Sequence, residues 1–146
     1  MNLGVKALAL FFLAAPALLS CMVDDRSYEF MESVQDGVIA NYQVAGVVSD
    51  ADGVPVAGIR VVADHSSGPH YLADTLYTDK EGRFSKFLSA PKVERFVLRF
   101  SDIDGTGNGG KFDAKSVEVI PLLTEVANGY FGGSYLVSAD VRLDRK

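Results

Sequence analysis

The chain has one cysteine, no tryptophan, two histidines and five prolines among its 146 residues. With Cys21 alone there is no internal disulfide, so any stability must come from packing and not from cross-links. The C-terminal half contains no histidine, which removes most histidine-based constellations, and no Gly-x-Ser-x-Gly elbow occurs. Excess positive charge is also missing: 14 basic residues stand against 19 acidic ones, for a net charge of −5. That balance argues against a nucleic-acid surface or an anionic-membrane surface. After Leu19 no apolar run is long enough to cross a bilayer as a helix.

What is present begins with a tripartite leader. Met1–Lys6 is weakly positive, Ala7–Leu19 is apolar and interrupted only by Pro16, and Leu18-Leu19-Ser20-Cys21 follows. This is the layout of a secretory signal peptide. Leu18, Ser20 and Cys21 resemble the lipobox of bacterial lipoproteins, with Leu19 bulkier than usual at the middle position. The resemblance implies cleavage before Cys21, lipidation of its thiol and acylation of the new amine. Two or more acyl chains make such anchoring stable, at about 0.8 kcal/mol per buried methylene. The expected domain plan is therefore 1–20 leader, 21–41 lipidated cysteine and tether, and 42–146 folded domain. The expected location is the bacterial outer membrane or cell envelope, with the membrane face undecided. About 20 tether residues reach at most ~65–70 Å. Asp24-Asp25, just past the cysteine, loosely resemble a surface-export signal of Bacteroidota lipoproteins, and a solvated linker reads equally well.

From Tyr42 onward the pattern has period two. Tyr135, Val137, Ala139, Val141 and Leu143 alternate with Leu136, Ser138, Asp140, Arg142 and Asp144. Phe96, Leu98 and Phe100 alternate with Val97, Arg99 and Ser101, as Ile59, Val61 and Ala63 do with Arg60, Val62 and Asp64. With Tyr42–Ser49, Leu72–Thr78, Arg83–Leu88 and Ser116–Pro121, seven short strands separated by Gly/Asp turns predict an all-β, antiparallel, seven-stranded Greek-key sandwich.

Gly46–Val61, with Asp50-Ala51-Asp52-Gly53 and Pro55 inside it, resembles the opening of a carboxypeptidase regulatory-like, or prealbumin-like, domain. Thr78-Asp79-Lys80-Glu81-Gly82-Arg83-Phe84 is similar to that family's next signature. Both are turns rich in side-chain acceptors and glycine, and Phe84 is expected to enter the core. Asn41-Tyr42, Asp52–Val61, Asp102–Gly105 and Asn108–Phe112 look like small Bacteroidota lipoproteins associated with radical SAM enzymes. That resemblance implies a radical SAM protein as partner and no known activity.

Three clusters carry candidate chemistry. In Asp102–Asp113, Asp102, Asp104, Asn108 and Asp113 offer oxygens suited to calcium, although the spacing is not that of an EF-hand. A plain glycine-rich loop is the competing reading. His65 and His70, with Asp64 and Asp74, have the donor types of a transition-metal site, but a five-residue Gly-Pro spacing does not fix ligand geometry, so a surface loop is expected. Tyr130-Phe131-Gly132-Gly133 is expected to close one end of the core, with an exposed recognition patch as the competing reading. Hydroxyisourate hydrolases share the prealbumin-like fold and end in a Tyr-Arg-Gly-Ser type tail, whereas this chain ends Leu143-Asp144-Arg145-Lys146. The expectation is a lipid-anchored, non-enzymatic binding or structural sandwich with an unassigned ligand. It needs no cofactor, with calcium the one candidate. The alternatives are a radical SAM substrate or partner and a calcium-stabilised adhesive module.

Overall fold

A computed structural model describes residues 38–67 and 71–146. The leader, Cys21, Asp24-Asp25, most of the tether, and His70 with its Gly-Pro neighbours lie outside the described residues. The rest is all-β, with eight strands: β1 Ile39–Asp50, β2 Ile59–Asp64, β3 Ala73–Tyr77, β4 Arg83–Pro91, β5 Phe96–Asp102, β6 Lys115–Val119, β7 Leu122–Glu125 and β8 Phe131–Leu143. They form two four-stranded sheets, ordered β4-β1-β8-β7 and β3-β2-β5-β6.

The alternating patterns place one face of the longer strands in a common core. Tyr42, Val44 and Val48 of β1 face Ile59, Val61, Phe96, Leu98 and Phe100 of the opposite sheet, and Val137, Val141 and Leu143 of β8 complete the layer. Phe84 enters the core as expected and meets Phe100 edge-on at 5.7 Å between ring centroids.

Two features depart from the expected architecture. After Val119 the chain crosses to the other sheet, where β7 pairs with β8 as an exposed edge strand, so there are eight strands where the periodicity suggested seven. The longest pairing, β1 with β8, is parallel and runs from Ile39↔Phe131 to Asp50↔Leu143, so the β4-β1-β8-β7 sheet is mixed while the other is antiparallel throughout. Because β1 begins at Ile39, three residues assigned to the tether belong to the sandwich.

The two Asp/Gly turns share one construction. Asp50 Oδ1 accepts from the N–H groups of Asp52 and Val54, each at 2.9 Å, and Asp79 Oδ1 accepts from Glu81 and Arg83 at the same distance. The fourth residue of each turn, Gly53 or Gly82, has φ near +83° or +71°, where a side chain would be strained. Gly82 also lies against the backbone of Val48, whose N–H donates to the Gly82 carbonyl at 2.7 Å.

Candidate functional site

His65 follows the end of β2 and is buried, contrary to the surface loop expected for it. Strand pairing explains this. β2 pairs with β3 through Asp64↔Ala73 and Ala63↔Asp74, which brings Asp74 beside the imidazole although nine residues separate them. His65 Nε2 lies 3.1 Å from Asp74 Oδ2, and Lys86 Nζ of β4 lies 2.7 Å from Asp74 Oδ1. The Lys86 ammonium, with a smaller contribution from His65, outweighs partial burial and holds the Asp74 carboxyl below its usual range. An ionised carboxylate only accepts, so the hydrogen bond assigns the proton to Nε2. Nδ1 is buried and has no hydrogen-bond partner among the described residues.

Asp64, the other acid of that segment, takes no part. It binds the Ser66 hydroxyl at 2.6 Å and the Arg99 guanidinium at 2.8 Å. Burial acts to raise its pKa, but Ser66 and Arg99 together outweigh that and leave it lowered.

An aromatic series adjoins the imidazole. His65 is 5.5 Å from Phe96, Phe96 is 4.9 Å from Tyr42, and Tyr42 stacks on Tyr135 at 5.5 Å, all between ring centroids. Burial pushes the Tyr42 phenol up, and its oxygen accepts from the Val93 N–H at 2.9 Å. Tyr135 donates its hydroxyl to the Gly132 carbonyl at 3.1 Å. Tyr130 is fully exposed at the tip of its turn, so of the Tyr130-Phe131 pair expected to close the core only Phe131 is even partly covered.

The glycine-rich segment gathers part of the proposed calcium set. Asp104 and Asn108 meet side chain to side chain. Asp102 turns its two oxygens to the N–H groups of Asp104 and Phe112, at 3.2 and 3.0 Å. Asp113 faces away, with Lys146 Nζ 3.9 Å from its carboxylate. These are the side-chain to backbone bonds that fix a loop. Among the described residues, no three His, Cys, Asp or Glu side chains converge to hold a metal ion.

The sandwich is shared with the intradiol dioxygenases. It superposes on 3-chlorocatechol 1,2-dioxygenase of Rhodococcus opacus 1CP with a TM-score of 0.51 at 13% identity, over 73% of this chain and 60% of that one. Catechol 1,2-dioxygenase of Acinetobacter radioresistens gives 0.53 at 12% identity, over 78% and 54%. The dioxygenase domain of a dioxygenase carbohydrate-binding protein fusion from Streptomyces sp. SirexAA-E gives 0.51 at 13%, over 75% and 82%. The chain thus spans under two thirds of the length of the first two. No family model and no curated relative matches the sequence.

These neighbours correct the family reading. The prealbumin-like and radical SAM-associated resemblances rested on turn motifs, and Asp/Gly turns of this construction recur wherever strands reverse. The fold neighbours are dioxygenases, and the radical SAM association finds no support. The non-enzymatic reading is corrected at the same point, with its radical SAM and calcium-adhesive alternatives, because the solved structures that share the fold over 73–78% of the chain are dioxygenases. The expectation of no cofactor beyond calcium is corrected with it, since the solved structures that share the fold are catechol and chlorocatechol dioxygenases. The described residues themselves do not fit an iron centre. His65 offers one nitrogen, its neighbour Asp74 is already held by Lys86, and no third such ligand converges on them.

Proposed function

We propose that this domain is an enzyme acting on a small phenolic ring of the catechol class, with the Asp74–His65 pair as its proton acceptor. The observation that carries the reading is the dioxygenase sandwich, matched over 73–78% of the chain by enzymes named for catechol and chlorocatechol. The Asp74–His65 pair supplies the chemistry. In the neutral ring His65 Nδ1 is a buried acceptor with no donor among the described residues, a condition that costs about 1–3 kcal/mol and that a phenolic O–H would relieve. On proton transfer the imidazolium lies against Asp74, which Lys86 keeps ionised. Phe96 and, beyond it, the stacked pair Tyr42 and Tyr135 give the imidazole the apolar, aromatic surroundings that suit such a ring. Positioned general bases contribute ~10²–10⁴-fold.

The test is oxygen uptake and product mass with catechol and hydroxyquinol, with and without added iron. The expected outcome is a ring-opened product carrying both atoms of O2, with a loss of at least a hundredfold in His65→Gln. Absence of turnover under every condition overturns the proposal. The enzyme is placed at the envelope by lipid on Cys21. Cys21→Ser should move it from the membrane fraction to the soluble one, and retention in the membrane would exclude that anchor.

A further inference from the structure

The outer face of the β4-β1-β8-β7 sheet is divided in chemistry. At one end its rows carry charge: Arg83 pairs across Val47 with Asp140, and Arg142 lies beyond. At the other end a shallow trough of 510 Å³ has no charged side chain among its lining residues. In a chain with 33 charged residues, neutrality over a four-strand width is a specific property of this surface.

Register places two contrasting rows in the trough. Phe87, Gln43 and Leu136 are direct cross-strand neighbours, and the row continues to Leu122 on β7. Phe87 is 75% exposed and Leu122 65% exposed, so the row is an aromatic and aliphatic platform open to solvent. Two residues along the strands, Ser89, Asn41 and Ser134 form a polar row, with Thr124 at the β7 bulge. This polar row is already oriented. Ser89 Oγ donates to Asn41 Oδ1 at 2.6 Å, which turns the Asn41 amide N–H groups away from Ser89. Thr124 Oγ1 donates to the Ser134 carbonyl at 3.0 Å, and Ser134 Oγ donates to Glu125 at 3.0 Å, which leaves both hydroxyl oxygens as acceptors. The Gln43 amide has no side-chain partner among the described residues and brings two donors and an acceptor. Four strands at about 4.8 Å spacing make the trough roughly 14 Å across.

We infer that this trough is a binding site for a neutral oligosaccharide. An aromatic face beside a row of amides and hydroxyls matches a ligand with apolar C–H faces and hydroxyl edges, and the charge-free lining matches one without carboxylates or phosphates. An anionic ligand would leave its charge uncompensated there, and a purely apolar partner would strand the Asn41 and Gln43 amides. His65 is not among the residues that line the trough, and only Tyr42 and Tyr135 are common to both sites.

The experiment uses the full mature chain in detergent, titrated with cellohexaose, xylohexaose and mannohexaose. A polygalacturonate oligomer of equal length is the charged control, and catechol is a separate probe. One neutral hexasaccharide is expected to shift the side-chain amide resonances of Asn41 and Gln43. Phe87→Ala should weaken it at least tenfold with an unchanged Tm, since Phe87 supports no core contact. Four results would overturn the inference: no binding across the neutral panel, tighter binding of the charged oligomer, undiminished affinity in Phe87→Ala, or the same shifts produced by self-association without glycan. Catechol turnover, present or absent, bears only on the enzymatic proposal. Catechol shifts confined to Asn41 and Gln43 would instead assign the trough to the aromatic ligand and overturn the saccharide site.

Discussion

Asp50 and Arg145, 95 residues apart, close the domain: Arg145 Nη2 donates to Asp50 Oδ2 at 2.9 Å, while Asp50 Oδ1 caps the turn through Asp52 and Val54. One almost fully buried carboxylate thereby fixes both the end of β1 and the segment after β8, its parallel partner. Asp50→Ala removes all three acceptor contacts and strands the two turn N–H groups, whereas Arg145→Ala removes a single, half-exposed donor. Thermal unfolding should show a Tm loss of roughly 5 °C or more for Asp50→Ala and a clearly smaller one for Arg145→Ala. Equal losses would refute the turn-capping role.

The same carboxylate predicts an acid limb. Hydrogen bonding from the Val54 N–H, assisted by Arg145, lowers Asp50, and Asp64 and Asp74 are also lowered. Each folded pKa lies below its unfolded value, so the unfolded chain takes up protons first as pH falls. The stabilisation is complete above the ordinary carboxylate range, near ~4, and is lost as pH drops below it toward the depressed values. Tm measured from pH 7 to 2 should hold to about pH 5 and then decline. Asp50→Asn should make that decline shallower.

At Gly46 the ladder leaves no room for a side chain. A Cβ there would sit 1.9 Å from the Ala139 carbonyl oxygen and 2.7 Å from the Phe84 ring. The carbonyl belongs to the parallel β1–β8 pair and cannot yield without breaking it. Gly46→Ala is expected to cost at least ~2–3 kcal/mol by denaturant unfolding, at or above the upper end of ordinary overpacking. A neutral result would mean that β1 and β8 do not run in this register.

The legible part of the fold was the part written in period two. Phe96, Leu98 and Phe100, and Val137, Val141 and Leu143, point inward as their alternation requires. Leu122–Glu125 was missed because an exposed edge strand buries nothing and so leaves no alternation to read. The parallel β1–β8 pairing was equally hidden, since periodicity reports which face is wet and says nothing of which strand lies alongside. His65 was taken for a loop residue because its Gly-Pro neighbours outweighed a partner, Asp74, that only the β2–β3 register supplies. In the glycine-rich segment, whose composition suggests a cation, Asp102 holds the backbone of its own loop through the N–H groups of Asp104 and Phe112.

Core and surface phenylalanines should behave oppositely. Phe100 is fully buried and contacts Phe84 edge-on, so Phe100→Ala is expected to cost about 3–5 kcal/mol. Phe87 stands on the outer face, and Phe87→Ala should stay within about 0.5 kcal/mol. Paired urea titrations check both, and a large loss at Phe87 would show that it packs against something other than solvent.

His65 allows stability and chemistry to be separated. If its unpartnered Nδ1 is kept for catalysis, the fold gains nothing from that atom and bears the cost of burying it. His65→Phe keeps a ring against Phe96, removes the buried acceptor and sacrifices one hydrogen bond to Asp74, which Lys86 still neutralises. Its Tm is therefore expected within a few degrees of the parent, while turnover of a catechol-class ring falls at least a hundredfold. His65→Gln retains a donor to Asp74 but not a proton acceptor of comparable basicity, so it should match His65→Phe in activity and the parent in fold. A steep Tm loss in both variants would show that the imidazole is a structural element of the core, with the Asp74 bond as its purpose.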